Sequence, residues 1–278
     1  MGIFDLAIAA GALVLVFMAG KRAFRNWKLK QLAVLPFPAE WEKILERNVT
    51  LYRHLPDELK EQLHNDIRIF TAEKHFEGLG GLKITDEMKV TIAAEASMLL
   101  LNRKNRDYPG LFSILVYPGA YVAQQKTPVG GGTHIDLQTV RAGESWQHGS
   151  VVLAWDHVKQ GAVNSKNGHN VVLHEFAHQL DQEDGISDGA PILEKRSSYA
   201  TWARIMNREY EQLRFNMEHH KKSVMDDYGA TNPAEFFAVA TETFFEKPEQ
   251  LKKKEPDLYA ELKSFYKVDP IEWLQSIS

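Results

Sequence analysis

The sequence predicts an α+β fold, and three features of its 278 residues carry that expectation. Apolar residues recur at three- and four-residue spacing from Trp41 to about Asn105 and again through the last third, the period of helices packed by one face. Between Pro109 and Trp155 the pattern changes to short runs rich in β-branched and aromatic residues, bounded by Gly and Pro, which signals a small sheet. Beyond it stands His174-Glu175-Phe176-Ala177-His178, within a stretch whose apolar residues Val172, Leu173, Phe176, Ala177 and Leu180 would bury a helix against that sheet.

Composition sets the outer bounds. With 44% hydrophobic and 25% charged residues, the chain has the make-up of a folded globular protein rather than a disordered one. Its 33 Lys and Arg against 37 Asp and Glu give a net charge of -4, so no general attraction to nucleic acid is expected. The absence of cysteine excludes disulfides, thiolate metal sites and thiol nucleophiles. Any metal must be held by His, Asp and Glu.

The elements follow in order. From Leu6 to Ala19 the chain is apolar or Gly, and Lys21, Arg22 and Arg25 come directly after. Positive charge after the apolar run is the reverse of a secretory signal. Residues 1–22 therefore read as a single-pass transmembrane anchor with the catalytic domain on the cytoplasmic side. Residues 23–40, with Pro36 and Pro38, read as a linker, and 41–278 as one domain with a helical part (41–105) and a catalytic part (106–278). Leu59, Leu63, Ile67 and Phe70 mark one helix, and Met88, Ile92, Ala96 and Leu99 a second that Thr85-Asp86-Glu87 would start. Phe112–Tyr117, Tyr121–Gln125 and Val151–Trp155 are the expected strands. Ser150–Trp155 is read as an edge strand able to pair with an extended peptide. Tyr199–Glu218, Pro233–Glu246 and Pro256–Tyr266 are the expected C-terminal helices.

The H-E-x-x-H run carries the chemistry. Residues four apart share a helix face, so His174 and His178 can reach one metal ion, and Glu175 stands beside them where its carboxylate can take a proton from water. A catalytic zinc wants a third protein ligand and an open position. Asp184, six residues after His178, would need a glycine turn where this chain has Asp181, and is disfavoured. Glu235 stands three residues after Asn232 and could simply close a capping box; beside an upstream H-E-x-x-H, the ligand reading is favoured. Glu242, two turns further on the same face, would orient a ligand or be solvated. Tyr228, seven residues before Glu235, could donate a hydrogen bond to an oxyanion. Gly130-Gly131-Gly132-Thr133 lacks the ending of a phosphate-binding loop and reads as a turn, and the Lys252-Lys253-Lys254 run as solvated surface. Asn48-Val49-Thr50 fits a glycosylation sequon.

Taken together, His174-Glu175-Phe176-Ala177-His178-Gln179-Leu180-Asp181, Tyr228 and Asn232-Pro233-Ala234-Glu235 resemble the Mlc titration factor A family, the glucose-regulated zinc metallopeptidases. Leu82-to-Met88, Val116-Tyr117-Pro118, Gly143-Glu144-Ser145-Trp146 and Phe236-to-Glu242 extend the likeness over roughly residues 35 to 270. The Tyr-to-Glu spacing also resembles the catalytic domain of anthrax lethal factor. The resemblance implies a zincin-like metallopeptidase domain, with a small mixed sheet packed on the H-E-x-x-H helix. It implies one zinc per chain on His174, His178 and Glu235, with Glu175 as base and Tyr228 assisting hydrolysis of a peptide or protein substrate. The family name brings a second expectation, that the domain binds a transcriptional repressor and the metal site is structural or weakly active.

Overall fold

The computed structural model describes residues 11–275, except 12, 14–15, 22, 24, 26, 28, 30, 33–34, 105–106, 129–133, 142 and 147–148. The chain divides into two compact units, Met1–Pro38 and Ala39–Ser278. In the first, the described residues between Gly11 and Leu32 are helical, and Leu13, Val16, Phe17 and Met18 are exposed.

The expected single-pass anchor is not supported: among the described residues no helix is long and apolar enough to cross a membrane. The physical reason lies in the length of the run. Leu6 to Ala19 gives 14 residues, about 21 Å of helix at 1.5 Å per residue, against a hydrocarbon core of about 30 Å. Part of that run, with the rest of residues 1–10, lies outside the described residues. Without an anchor, the flanking Lys21, Arg22 and Arg25 no longer assign the domain to the cytoplasmic side, and the membrane is withdrawn as a partner.

The second unit opens with three helices, α1 (Ala39–Asn48), α2 (Thr50–Arg53) and α3 (Asp57–Glu73). Helix α3 buries Leu63, Ile67 and Phe70, the apolar face its spacing predicts. Asn48 is buried and its amide donates to Glu87 Oε1 (2.9 Å) and Thr91 Oγ1 (3.1 Å), so the sequon is not presented for modification. The chain then makes a strand absent from the sequence expectation, β1 (His75–Gly78), too short for its alternation to register against the helical pattern around it. Helix α4 (Asp86–Met98) starts where expected, the Thr85 hydroxyl accepting from the Met88 N–H at 3.3 Å. It is buried on almost every side from Val90 to Met98.

Strand β2 (Ser113–Tyr117) lies between β1 and β6 (Ser150–Ala154), parallel to both, and β5 (Gly143–Trp146) adds antiparallel to β6. The main sheet is therefore mixed, in the order β1-β2-β6-β5, with Ile114 opposite Val151 and Val116 opposite Leu153 in its buried layer. Strands β3 (Tyr121–Pro128) and β4 (His134–Arg141) pair antiparallel as a separate sheet, and Gly130–Thr133, expected as a turn, lies outside the described residues. The placement of Ser150–Trp155 corrects the sequence reading. It is an internal strand with Trp155 already opening helix α5 (Trp155–Val163), and the edge strands are β1 and β5. Apolar content marks a buried strand; only pairing decides which buried strand is inner.

Helix α6 (Val171–Asp181) carries the H-E-x-x-H run, followed by α7 (Ser198–Glu218) and α8 (Pro233–Glu246). Then come α9 (Pro248–Lys254), α10 (Pro256–Tyr266) and α11 (Pro270–Gln275). Each of the last four opens on a proline, whose missing N–H costs nothing in the first turn. Helix α8 is nearly all buried, with Phe237 against Trp202 and Phe244 and Phe245 against Tyr266. Lys252, Lys253 and Lys254 are exposed, as their run suggests.

Candidate metal centre

Asn170 fixes the start of α6, its Oδ1 accepting from the N–H groups of Val172 and Leu173, both at 3.1 Å. From that start, one helical turn separates His174 from His178, and their rings stand 4.9 Å apart at 80°. Helix α8 brings Glu235 to the same point: its Oε2 is 3.0 Å from His174 Nε2 and 3.3 Å from His178 Nε2. These three residues form the group of potential metal ligands among the described residues, each offering one atom within 4.8 Å of the others. The spacing fits a small divalent ion. Two ligands at about 2.1 Å in tetrahedral geometry stand about 3.4 Å from each other, close to the distances from Glu235 to the two imidazoles.

The two readings of Glu235 turn out to be compatible. Asn232 Oδ1 accepts the Glu235 N–H at 3.0 Å, so the cap exists, but the Glu235 carboxylate is turned to the imidazoles instead of closing the box. Asp184 lies elsewhere, exposed in a 3-10 turn where its Oδ1 accepts the Ile186 N–H at 3.0 Å.

Glu242 is buried, not solvated. Its Oε1 holds His174 Nδ1 at 2.7 Å and its Oε2 accepts the Asn170 N–H at 2.5 Å, so one carboxylate braces both the ring and the helix start. Sequence reading missed the layer behind it. Glu95 of α4 accepts from Asn170 Nδ2 at 2.5 Å, and Glu246 of α8 accepts from the N–H groups of Gly168 and His169 at 2.8 and 3.1 Å. A signal for both existed. Glu95 interrupts an apolar helix, and Glu235, Glu242 and Glu246 fall at intervals of seven and four on one face of another.

Charge state follows from surroundings. Burial opposes ionisation of Glu235, but hydrogen bonds to His174 and His178 outweigh it and hold its carboxyl well below the usual range. Burial likewise pulls His174 down, and the bonds to Glu235 and Glu242 more than reverse this. Burial pushes Glu175 up to about 7, against the pull of both imidazoles. Glu175 packs where β5 meets α6. A Cβ on Gly143 would come within 2.6 Å of Glu175 Oε1 and 2.7 Å of Val171 Cγ2, so only glycine leaves room there.

The centre opens into a cleft of about 970 Å³ whose lining includes Gly143, His157, His169, Asp226 and Tyr228. Tyr228 sits in a 3-10 turn (Asp227–Ala230) whose first N–H groups are met by Asp226 Oδ1, at 2.8 Å from the Tyr228 N. Its ring is half exposed and 6.0 Å from that of His174. The fold thus brings His174, Glu175, His178, Tyr228 and Glu235 to one cleft.

Relatives carry the same extent of chain. An uncharacterized protein of Synechocystis sp. is 40% identical over 259 residues, 93% of this chain and 94% of its own. Mlc titration factor A of Pectobacterium atrosepticum is 31% identical over 232 residues, 82% of this chain and 86% of its own. Its namesake from Yersinia pestis is 29% identical over 236 residues, covering 84% and 86%. A model of the glucose-regulated metallo-peptidase M90 family matches residues 24–267. With two histidines and a glutamate converging in a cleft beside a buried carboxyl, and a match over most of its length, the chain belongs to the glucose-regulated metallo-peptidase M90 family.

Proposed function

We propose that this chain is a zinc-dependent peptidase in which His174, His178 and Glu235 hold the metal, Glu175 is the general base and Tyr228 assists. The observation that carries the reading is the convergence of three ligand atoms within 4.8 Å beside the buried carboxyl of Glu175. A structural zinc site has no use for that neighbour; a general base does. A bound zinc would supply Lewis acidity and lower the pKa of water at the site. Glu175 would take a proton from the water that attacks the scissile carbonyl and return it to the leaving amine. The Tyr228 hydroxyl donates a hydrogen bond to the oxygen on which negative charge develops. Glu242 holds the Nδ1 side of His174, an arrangement that would leave Nε2 for a bound metal. The free edge of β5, beside Glu175, is the surface an extended peptide would pair with.

The second reading rests on the relatives' name. Titration of Mlc, carried over to this chain, makes the domain a binding protein that sequesters a transcriptional repressor. The Glu175→Gln variant separates the two. It should keep its zinc and lose peptide hydrolysis by about 10²–10⁴-fold, since only the proton carrier is removed. Hydrolysis at the wild-type rate would remove Glu175 from its role, and zinc-free native protein would remove the peptidase reading altogether.

A further inference from the structure

The cleft has a charge pattern that the catalytic reading does not use. Among its described lining residues are four carboxylates, Glu175, Asp226, Glu235 and Glu242, and no Lys or Arg. Three of them are engaged at the centre: Glu235 faces the imidazoles, Glu242 holds His174 and Asn170, and Glu175 is buried under Gly143. Asp226 differs. Its side chain is 41% exposed, with Oδ1 taken by the Tyr228 N–H and Oδ2 turned toward His169 Nε2 at 3.6 Å, beyond a hydrogen bond. It lies two residues from Tyr228 and lines the same cleft, and the described lining offers it no Lys or Arg.

We propose that Asp226 is a specificity-determining residue, selecting peptides with lysine or arginine beside the scissile bond and disfavouring those with glutamate or aspartate there. The inference rests on the peptidase reading and adds a substrate class to it. A cationic side chain meets a half-exposed carboxylate beside which the described lining holds no Lys or Arg, whereas an acidic one meets like charge. The carboxylate is half exposed, so the gain is that of a partly solvated ion pair.

The test uses the full chain loaded with zinc and three sets of decapeptides, carrying Lys, norleucine or Glu at each position in turn. The Lys-to-Glu ratio of kcat/KM should be about ten or more at one position flanking the cut, and should fall to about two or less in Asp226→Asn. Asn caps a helix start as well as Asp does, so the variant keeps the Tyr228 turn; Asp226→Ser, another good cap, should behave alike, and Asp226→Glu should restore part of the ratio. A second arm measures binding of the same peptides to zinc-loaded Glu175→Gln, with and without Asp226→Asn. If nothing is cleaved the peptidase reading fails, and the binding arm then decides the charge preference by itself. A wild-type ratio near one, or a ratio unchanged by Asp226→Asn in both arms, would overturn the proposal.

Discussion

The two ends of helix α8 carry the same side chain and treat it in opposite ways. At the cleft end Glu235 meets His174 and His178 and is held ionised. At the buried end Glu246, which meets the backbone N–H groups of Gly168 and His169, the Asn170 side chain and the nearby charge of Glu242, is pushed up to about 8 by burial. Glu242 stands between them and serves both ends, with one oxygen on an imidazole and one on the backbone of α6. A glutamate's charge state here is set by burial together with what its oxygens meet, not by the helix that carries it. The cleft end brings together three residues that could hold a metal ion; the buried end fixes the chain segment that delivers α6.

The contrast is open to direct tests. Glu235→Gln should abolish useful zinc binding and nearly all hydrolysis while the helix still starts at Asn232, because the cap is made to the backbone N–H of residue 235 and an amide is a poor zinc ligand; metal analysis after dialysis reads it. Asp184→Asn should leave the metal in place, and the reverse pattern would move the third ligand. Glu242→Gln should weaken zinc affinity by about 10–100-fold without removing a ligand, as loss of a carboxylate behind a ligating histidine does; competition with a chelator measures it.

The buried end should reveal itself in the pH dependence of stability. Glu95 and Glu246 are both raised from 4.5 to about 8, chiefly by burial. The folded state therefore binds more protons than the unfolded one between those values. The stability these groups contribute is complete below about pH 4.5 and is lost as pH rises through about 8. Glu95→Gln and Glu246→Gln should each flatten the fall in urea midpoint across that window, and an unchanged slope would mean that these carboxyls ionise freely in the folded chain. The smallest effect belongs to the cap itself. Asn232→Ala should cost about 1 kcal/mol of stability while the metal stays bound.

Much of this was legible from the residues. The H-E-x-x-H spacing put two imidazoles on one face, and Asn232-Pro233 announced a helix that begins where it does. The helix boundaries near Thr85 and Pro256 were equally local, because a cap or a proline acts within one turn. The sequence also disfavoured Asp184 for want of a glycine at Asp181, and the structure puts that residue in an exposed 3-10 turn.

What the sequence determined by itself was therefore whatever depends on spacing within one element: which residues share a helix face, where helices start, and which metals cysteine-free chemistry permits. The tertiary structure decided the rest. It made β6 internal and β1 and β5 the edge strands, because strand order depends on pairing between segments far apart in the chain. It turned Glu235 from a cap into a residue that also faces two imidazoles, and buried Glu95, Glu242 and Glu246 in one layer behind them. A carboxylate's charge state depends on groups brought within a few ångströms by folding, and no spacing along the chain specifies those distances.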